Sequence, residues 1–276
     1  MLRLAVLGDP IAHSLSPRIQ NAALAALGLA GGYEAIRCPA AALPARLAAL
    51  AAAGYRGLNL TLPLKELAWA LLAPAAASAS EEARGLRAVN TLRLEDDGRW
   101  ALHNTDLAGC RQAAAALLPE GLAGRRILLL GAGGAARAAL AALLSAKVAA
   151  LAVWNRDPAR AERLLAELAA SDSRASCATL VAGRCPPGFD LIIQATALGL
   201  AAADPLPPLP SPGERPAVLE LQTASTPWLA RCRAEGARGA DGREMLLAQG
   251  AASFAFWTGQ AAPLAAMRRA LFTDSV

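Results

Sequence analysis

The sequence predicts an α/β protein with two domains, and three observations lead to this prediction. Strand-like and helix-like segments alternate along the 276 residues, which is typical of folds built on largely parallel sheets. A chain of this length can form two domains. Near its middle, the run RILLLGAGGAAR (residues 126–137) passes from an apolar strand through a glycine turn into an alanine-rich helix. We therefore expect one α/β domain on each side of a short linker before residue 126.

The first domain begins with an apolar strand that stops at Gly8, and its later elements follow from turn and cap signals. Ser16 as a cap and Pro17 at the first position predict a helix start, Gly54 a helix end, and Asp96-Asp97-Gly98 a hairpin turn. The predicted strands are Leu2–Gly8, Tyr33–Cys38, Leu58–Leu62, Val89–Leu94 and Trp100–Asn104. The predicted helices are Pro17–Leu27, Leu43–Ala53, Glu66–Leu72 and Ser80–Leu86.

A helix over Asp106–Leu118 and a linker over Pro119–Gly124 precede the second series of elements. Its predicted strands are Ile127–Leu130, Val148–Trp154, Asp190–Ala195 and Ala217–Leu221, with a proline-rich loop over Asp204–Pro216. Two final helices, Arg243–Thr258 and Pro263–Phe272, have no strand after them, so we expect them to return to the first domain and leave a cleft between the domains. The predicted regions are 1–106, 107–238 and 239–276.

Composition excludes several classes of protein. The net charge of +5 is spread along the chain, without the like-charge block that a nucleic-acid tail or membrane-binding stripe requires. Five cysteines, an odd number without metal-ligand spacing, argue against disulfides and structural zinc. The sequence also has no signal-peptide apolar region and no run of apolar residues long enough to span a membrane. We expect a cytoplasmic monomer or homodimer that binds a small molecule and no metal, nucleic acid or membrane.

The glycine turn matches the G-x-G-x-x-G/A fingerprint of dinucleotide-binding domains, with Ala136 at the third small position. Glycines allow the backbone to approach a pyrophosphate, and the helix that follows directs N–H groups and a positive dipole end at the phosphates. The turn residues are Gly131, Ala132, Gly133, Gly134 and Ala135. The pattern predicts a Rossmann-type domain and a nucleotide-dependent oxidoreductase.

The choice of cofactor depends on the end of the next strand, where the sequence continues Asn155, Arg156, Asp157 and, one helical turn later, Arg160. An acidic residue there binds the ribose 2′-hydroxyl of NAD, whereas arginine accommodates the 2′-phosphate of NADP. Two guanidinium groups can clamp a phosphate, so we predict NADP. The alternatives are that both arginines are ordinary surface charges and that Asp157 is a helix cap.

Three polar segments of the first region indicate a small anionic substrate. Only Lys65 and Lys147 are lysines among 27 basic residues, and a proton donor is not easily replaced by arginine, which makes Lys65 a catalytic candidate. Ser14 and Ser16 precede a helix and suit a carboxylate. The alternative is a simple capped turn, which would explain Ser16 but not Ser14. Asp106, after Asn104-Thr105, is either functional or a simple helix cap.

Together these segments resemble the shikimate dehydrogenase family over nearly the whole chain. The matching segments are Gly8–Pro17, Asn59–Lys65, Ala88–Thr91, Asn104–Asp106, Gly131–Arg137, Asn155-Arg156 and Gly242–Gly259. The resemblance implies NADP-dependent interconversion of 3-dehydroshikimate and shikimate, a step towards aromatic amino acids. It implies that Lys65 and Asp106 form the catalytic pair and that Ser14 and Ser16 hold the substrate carboxylate. It also implies ring-hydroxyl or ordering contacts from Asn59, Thr61, Asn90 and Gln249, and cofactor contacts from the turn residues, Asn155, Arg156, Arg160, Thr196, Gly242 and Met245.

Three positions depart from the family pattern. Where the family has Asp-x-x-Tyr, this chain has Val218-Leu-Glu-Leu221; Gln194 replaces an asparagine, and Leu107 a glycine. The missing phenol leaves open a divergent paralogue acting on quinate or an aminoshikimate. It also leaves open an NADP-binding regulatory protein without catalysis. A two-domain folate dehydrogenase is a third alternative, although the serine pair and Asn-Thr-Asp segment suit a small polyol acid better than a pterin.

Overall fold

The computed structural model describes residues 1–196, 198–199, 205–223 and 226–273. The chain forms two compact units, Met1–Thr105 together with the segment from Leu247 onward, and Asp106–Leu246. Residue 106 and residues 239–246 thus pack with the second unit, whereas the sequence predicts boundaries after 106 and at 239. The start of the loop expected over 204–216 lies outside the described residues, as do the last three residues of the chain.

The first unit is built on a mixed sheet. Its strands are β1 (Leu2–Gly8), β2 (Gly31–Arg37), β3 (Tyr55–Leu60), β4 (Ser78–Ala79), β5 (Thr91–Leu94) and β6 (Trp100–His103), in the order β2-β1-β3-β5-β6-β4. β1 pairs in parallel with β2 and β3, and the predicted hairpin of β5 and β6 is confirmed. The helices between these strands are α1 (Ser16–Ala26), α2 (Leu43–Ala52), α3 (Leu64–Leu72) and α4 (Glu81–Leu86).

The second unit has an entirely parallel sheet. Its helices are α5 (Asp106–Leu117), α6 (Gly134–Leu144), α7 (Pro158–Leu168) and α8 (Pro227–Ala234). Its strands are β7 (Arg126–Leu130), β8 (Ala150–Trp154), β9 (Ala175–Cys177), β10 (Leu191–Gln194), β11 (Ala217–Glu220) and β12 (Arg238–Ala240), in the order β12-β11-β10-β7-β8-β9. This is the strand order of a Rossmann fold, so the predicted fold class is confirmed.

The last two helices, α9 (Arg243–Thr258) and α10 (Leu264–Phe272), complete the first unit from Leu247 onward. α10 packs against α1. The buried Gln20 amide donates to the Gly250 carbonyl at 2.9 Å, and the Trp257 indole donates to the Leu92 carbonyl at 2.9 Å. The chain therefore returns to its first sheet after building the second.

Small side chains fill much of the second core, as expected for a chain with few aromatic residues. Along α6, Ala136, Ala139 and Ala142 are buried against the sheet. The sequence did not predict β4, β9, β12 or α8. Each of these strands has only two or three residues, which is too short for a recognisable alternation.

Candidate functional site

The two serines at the start of α1 do not have the roles expected from a capped turn, in which the Ser16 hydroxyl would accept a backbone N–H. α1 begins at Ser16, and its N-cap is Leu15, which has no capping side chain. The Ser14 hydroxyl accepts the Ser16 backbone N–H at 3.3 Å. The prediction that Ser16 caps the helix is therefore wrong, because the turn enters the helix one residue earlier. Ser16 is buried and Ser14 half-buried.

A buried hydrogen-bond network surrounds Asn59, at the end of β3. The Asn59 amide nitrogen lies 2.9 Å from the Asn90 carbonyl oxygen, 3.0 Å from Thr91 Oγ1 and 3.1 Å from Ser253 Oγ. Its amide oxygen accepts the Tyr33 phenol at 2.8 Å. Both ends of the Asn59 amide are thus held by the protein itself.

Asn90 continues this network towards the start of α5. Its side-chain oxygen accepts the Thr105 backbone N–H at 2.8 Å, and its side-chain nitrogen donates to Thr105 Oγ1 at 2.9 Å. Thr105 directly precedes Asp106, the first residue of α5, which is 6% exposed. Asn90 therefore fixes the backbone immediately before the candidate catalytic carboxylate.

Ser253 is a member of the network that the sequence did not indicate. It is fully buried, and its hydroxyl lies 2.9 Å from Thr91 Oγ1 and 3.2 Å from Thr105 Oγ1. The same hydroxyl donates to the carbonyl of Gln249, one helical turn earlier, at 3.0 Å. A serine in an apolar helix has no distinctive sequence signal, and only the fold brings it to Asn59.

Thr61 lies in the turn between β3 and α3, and Lys65 lies in the first turn of α3. Lys65 is the second residue of α3 and is half-buried, and its carbonyl accepts the Val89 N–H at 3.0 Å. Thr61 is half-buried, and a Cβ added to Gly8 would lie only 2.4 Å from its methyl carbon. Gly8 therefore permits the end of β1 to lie directly against this turn.

The glycine turn of the second unit connects β7 to α6. Gly131 has a φ of 118°, in the region that favours glycine, and an added Cβ there would lie 3.0 Å from the Ala195 backbone. No side chain among the described residues caps α6, whose N-cap is Gly133. Cβ atoms added at Gly133 and Gly134 would have nothing within 4 Å. A helix start without a side-chain cap, with open space beside its glycines, fits a pyrophosphate. The other turn residues are the half-buried Ala132 and the exposed Ala135.

Two arginines follow β8, the strand next to the glycine turn. Arg156 and Arg160 are exposed, and neither pairs with a carboxylate in the part of the chain that the structure describes. Asp157 caps α7 by accepting the Ala159 N–H at 3.2 Å, and the Asn155 amide donates to the Asp157 carbonyl at 2.9 Å. The acidic residue is thus engaged as a cap, while the guanidinium groups remain available for a phosphate.

The remaining cofactor candidates are Thr196, which follows β10, and Gly242 and Met245, which follow β12. The Thr196 N–H donates to the Gln194 side-chain oxygen at 2.7 Å, so the substituted glutamine shapes this turn. Gly242 donates its N–H to the Gln222 carbonyl at 2.7 Å, and a Cβ on Gly242 would lie 2.4 Å from the Leu221 carbonyl oxygen. Leu221 is half-buried. Leu221 and Met245 both pack against the hydrophobic core of the second unit.

Sequence models of three protein domains match this chain. The model described as the shikimate dehydrogenase substrate binding domain matches residues 6–92. The shikimate / quinate 5-dehydrogenase model matches residues 112–200, and the shikimate 5'-dehydrogenase C-terminal domain matches residues 242–272. Across the described residues, no helix is long and apolar enough to cross a membrane.

Named relatives and solved structures agree with these matches. The shikimate dehydrogenase (NADP(+)) of Xanthomonas euvesicatoria pv. vesicatoria is 43% identical over 263 residues, covering 93% of this chain and 90% of that protein. The Thermus thermophilus shikimate 5-dehydrogenase, solved with NADP(H) and shikimate, is 38% identical, with a TM-score of 0.82 and 98% of each chain covered. The Aquifex aeolicus shikimate dehydrogenase has a TM-score of 0.86 at 28% identity, covering 99% and 98% of the two chains. This chain belongs to the shikimate dehydrogenase family.

Proposed function

We propose that this protein catalyses the reversible, NADP-dependent reduction of 3-dehydroshikimate to shikimate. The observation that carries the proposal is the single buried network that connects Asn59, Asn90 and Thr105 in the first unit. The residues that the family resemblance assigns to the substrate belong to this network or lie beside it. A regulatory protein without catalysis is not favoured, since the relatives are named for the enzyme.

In this proposal the first unit binds the ring acid. Ser14 and Ser16 hold the carboxylate, and Thr61 and Gln249 contact ring hydroxyls. Asn59 and Asn90 serve mainly to order their neighbours, because protein groups already engage both ends of each amide. A rigid network of this kind loses little entropy when the substrate binds.

Lys65 and Asp106 are the proposed catalytic residues. Negative charge develops on the carbonyl oxygen as the ring carbon is reduced, and the Lys65 ammonium group stabilises and protonates that oxygen. The Asp106 carboxylate accepts a hydrogen bond from the same hydroxyl and holds it in place beside the Lys65 ammonium group. In the reverse direction, neutral Lys65 accepts the hydroxyl proton.

The second unit provides the residues that would hold NADP. Gly131–Ala135 bind the pyrophosphate through backbone N–H groups, and Asn155, Arg156 and Arg160 bind the adenosine ribose and its 2′-phosphate. Thr196, Gly242 and Met245 contact the nicotinamide end. When bound, the nicotinamide donates or accepts the hydride. A small-molecule substrate fits this proposal, while the monomer or homodimer and the cytoplasmic location stay predictions.

The direct test is an absorbance assay at 340 nm, with shikimate, quinate and an aminoshikimate, each with NADP and with NAD. We expect NADP reduction with shikimate as the best substrate. Lys65→Ala should lower kcat by about a thousandfold, the range expected for loss of a general acid, with little change in cofactor affinity. Lys147→Ala is the matched control, since Lys147 is the other lysine and is exposed. No turnover on any substrate, despite tight NADP binding, would contradict the proposal.

A further inference from the structure

Tyr33 is one of two tyrosines in the chain, and its backbone, ring and hydroxyl all make contacts within the first unit. The Asn21 side chain accepts the Tyr33 backbone N–H and donates to its carbonyl, both at 2.9 Å. The Tyr33 ring packs against Trp257, with centroids 5.9 Å apart. With 3% of its surface exposed, the side chain has a fixed position.

The phenol of Tyr33 joins two of the candidate substrate residues. It donates to the Asn59 side-chain oxygen at 2.8 Å, and the Ser16 hydroxyl lies beside it. Burial raises the pKa of Tyr33, and a hydrogen bond from the Ser16 side chain lowers it by a smaller amount. The phenol therefore stays protonated and acts as a donor throughout the physiological pH range.

This donor completes the hydrogen bonding of the Asn59 amide. The Asn59 nitrogen faces the Asn90 carbonyl, an acceptor, so its oxygen must face Tyr33. Without the hydroxyl, the oxygen of a nearly fully buried amide would lose the only donor that the described residues give it, and buried polar groups left unpaired are costly.

Tyr55, the second tyrosine, provides an internal comparison. It is also buried and also lies in the first sheet, at the start of β3. Its phenol donates to the Glu34 carboxylate and accepts from the Arg3 guanidinium at 3.1 Å, and that guanidinium also covers its ring. These contacts include none of the candidate substrate residues.

We propose that Tyr33 is a positioning residue for the substrate site, acting through Ser16 on the carboxylate side and through Asn59 on the hydroxyl side. The proposal rests on the proposed function, because Ser16 and Asn59 matter to affinity only if the ring acid binds there. Tyr33 would then supply the first unit with a phenol beside the substrate residues. The chain has Leu221 at the position where the family resemblance implies a tyrosine.

The test compares Tyr33→Phe with Tyr55→Phe in the full chain, with shikimate and NADP as substrates. We expect Tyr33→Phe to raise the KM for shikimate about tenfold, with kcat and the KM for NADP within about twofold of the unmodified protein. Tyr55→Phe should leave all three values within about twofold. In a Ser16→Ala background, Tyr33→Phe should cost clearly less, since part of its effect passes through Ser16.

Equal shikimate KM values for the two phenylalanine variants would overturn the assignment. It would also be overturned if Tyr33→Phe raised the KM for NADP as much as the KM for shikimate. Full additivity with Ser16→Ala would also overturn it, because a merely structural loss acts independently of Ser16. If Tyr33→Phe is less stable, the rise in melting temperature on adding shikimate measures binding in each variant and replaces the comparison of KM values. No turnover or shikimate binding in the unmodified protein would instead refute the proposed function, and the Tyr33 assignment with it.

Discussion

Among single residues, Glu220 at the end of β11 is a carboxyl group in an unusually apolar place. It is fully buried on the strand face that carries Val218, which packs against Trp228 and Cys232 of α8. One oxygen accepts the Thr226 hydroxyl, and the other has no partner among the described residues. Its pKa is raised to about 7, mainly by burial; the Thr226 and Gln194 side chains oppose this rise, and the Asp241 carboxylate adds a smaller one.

Glu220 should make the stability of the protein depend on pH. Its pKa is higher in the folded state than the ordinary value of 4.5, so between pH 4.5 and about 7 Glu220 holds its proton more often in the folded chain than in the unfolded chain. The contribution of Glu220 to the free energy of unfolding therefore falls as the pH rises through this range. This fall is on the order of 3 kcal/mol.

Glu220→Gln tests this, because glutamine imitates the neutral acid. Denaturant unfolding at pH 5 and pH 8 should show the variant losing less stability between the two values than the unmodified protein. The control is Glu162→Gln, which removes an exposed carboxylate from α7 in the same unit. If Glu220→Gln and Glu162→Gln have the same pH dependence, Glu220 ionises normally in the fold.

Single residues also show where prediction from sequence stops. Lys65 and the Ser14/Ser16 pair could be selected because their residue types are unusual for their surroundings. Tyr33 and Ser253 could not, since Tyr33 lies outside the matching segments, Ser253 has no signal of its own within Gly242–Gly259, and each reaches Asn59 only through tertiary packing. Ser253 lies 194 positions from Asn59 along the chain, and no local pattern encodes such a contact.

Among the elements, α9 connects the end of the chain to the candidate substrate residues through Ser253. Ser253→Ala would leave buried groups of Asn59, Thr91 and Thr105 with one partner fewer. We expect it to lower the free energy of unfolding by about 1 to 3 kcal/mol and to raise the KM for shikimate more than the KM for NADP. Urea unfolding and steady-state kinetics measure both effects.

Thr258→Val is the matched control on α9. Its hydroxyl makes the same type of bond to the carbonyl four residues earlier, Phe254, at 2.8 Å, but its one other hydrogen bond among the described residues is with the nearby Gln260 backbone N–H. It should cost less stability and leave the KM for shikimate unchanged. If the two variants changed the free energy of unfolding and the KM for shikimate equally, the bonds of Ser253 to Asn59, Thr91 and Thr105 would have no effect beyond that of its bond within α9.

The elements that sequence could predict are the long ones. β1 and α9 have the predicted bounds, since a full apolar strand and a long helix each give a clear pattern. β12 was not predicted because Arg238–Ala240 contains no apolar pair and owes its place to pairing with β11. Prediction also placed the end of β3 at Leu62, but the strand stops at Leu60, where Thr61 begins the turn into α3.

For the whole molecule, the division into two units predicts two separate patterns of ligand protection. In hydrogen exchange, NADP alone should slow exchange in the glycine turn and after β8. Shikimate alone should slow it in residues 14–16 and 59–65, and also in the distant segment 247–253 of α9, which belongs to the same unit. Protection by shikimate confined to residues before 106 would contradict a substrate unit completed by the end of the chain.

The return of the chain to its first sheet sets an order for folding during synthesis. A ribosome makes β1 to β6 early, yet Trp257, which packs on Leu4, Val6 and Tyr33, emerges only after all of the second unit. At typical elongation rates this delay is about ten seconds or more. Throughout it, the nascent first sheet lacks the Trp257 side chain that packs on it, and the Gln20 amide lacks its Gly250 partner. The continuous cofactor unit can therefore fold to completion first, although its synthesis begins second.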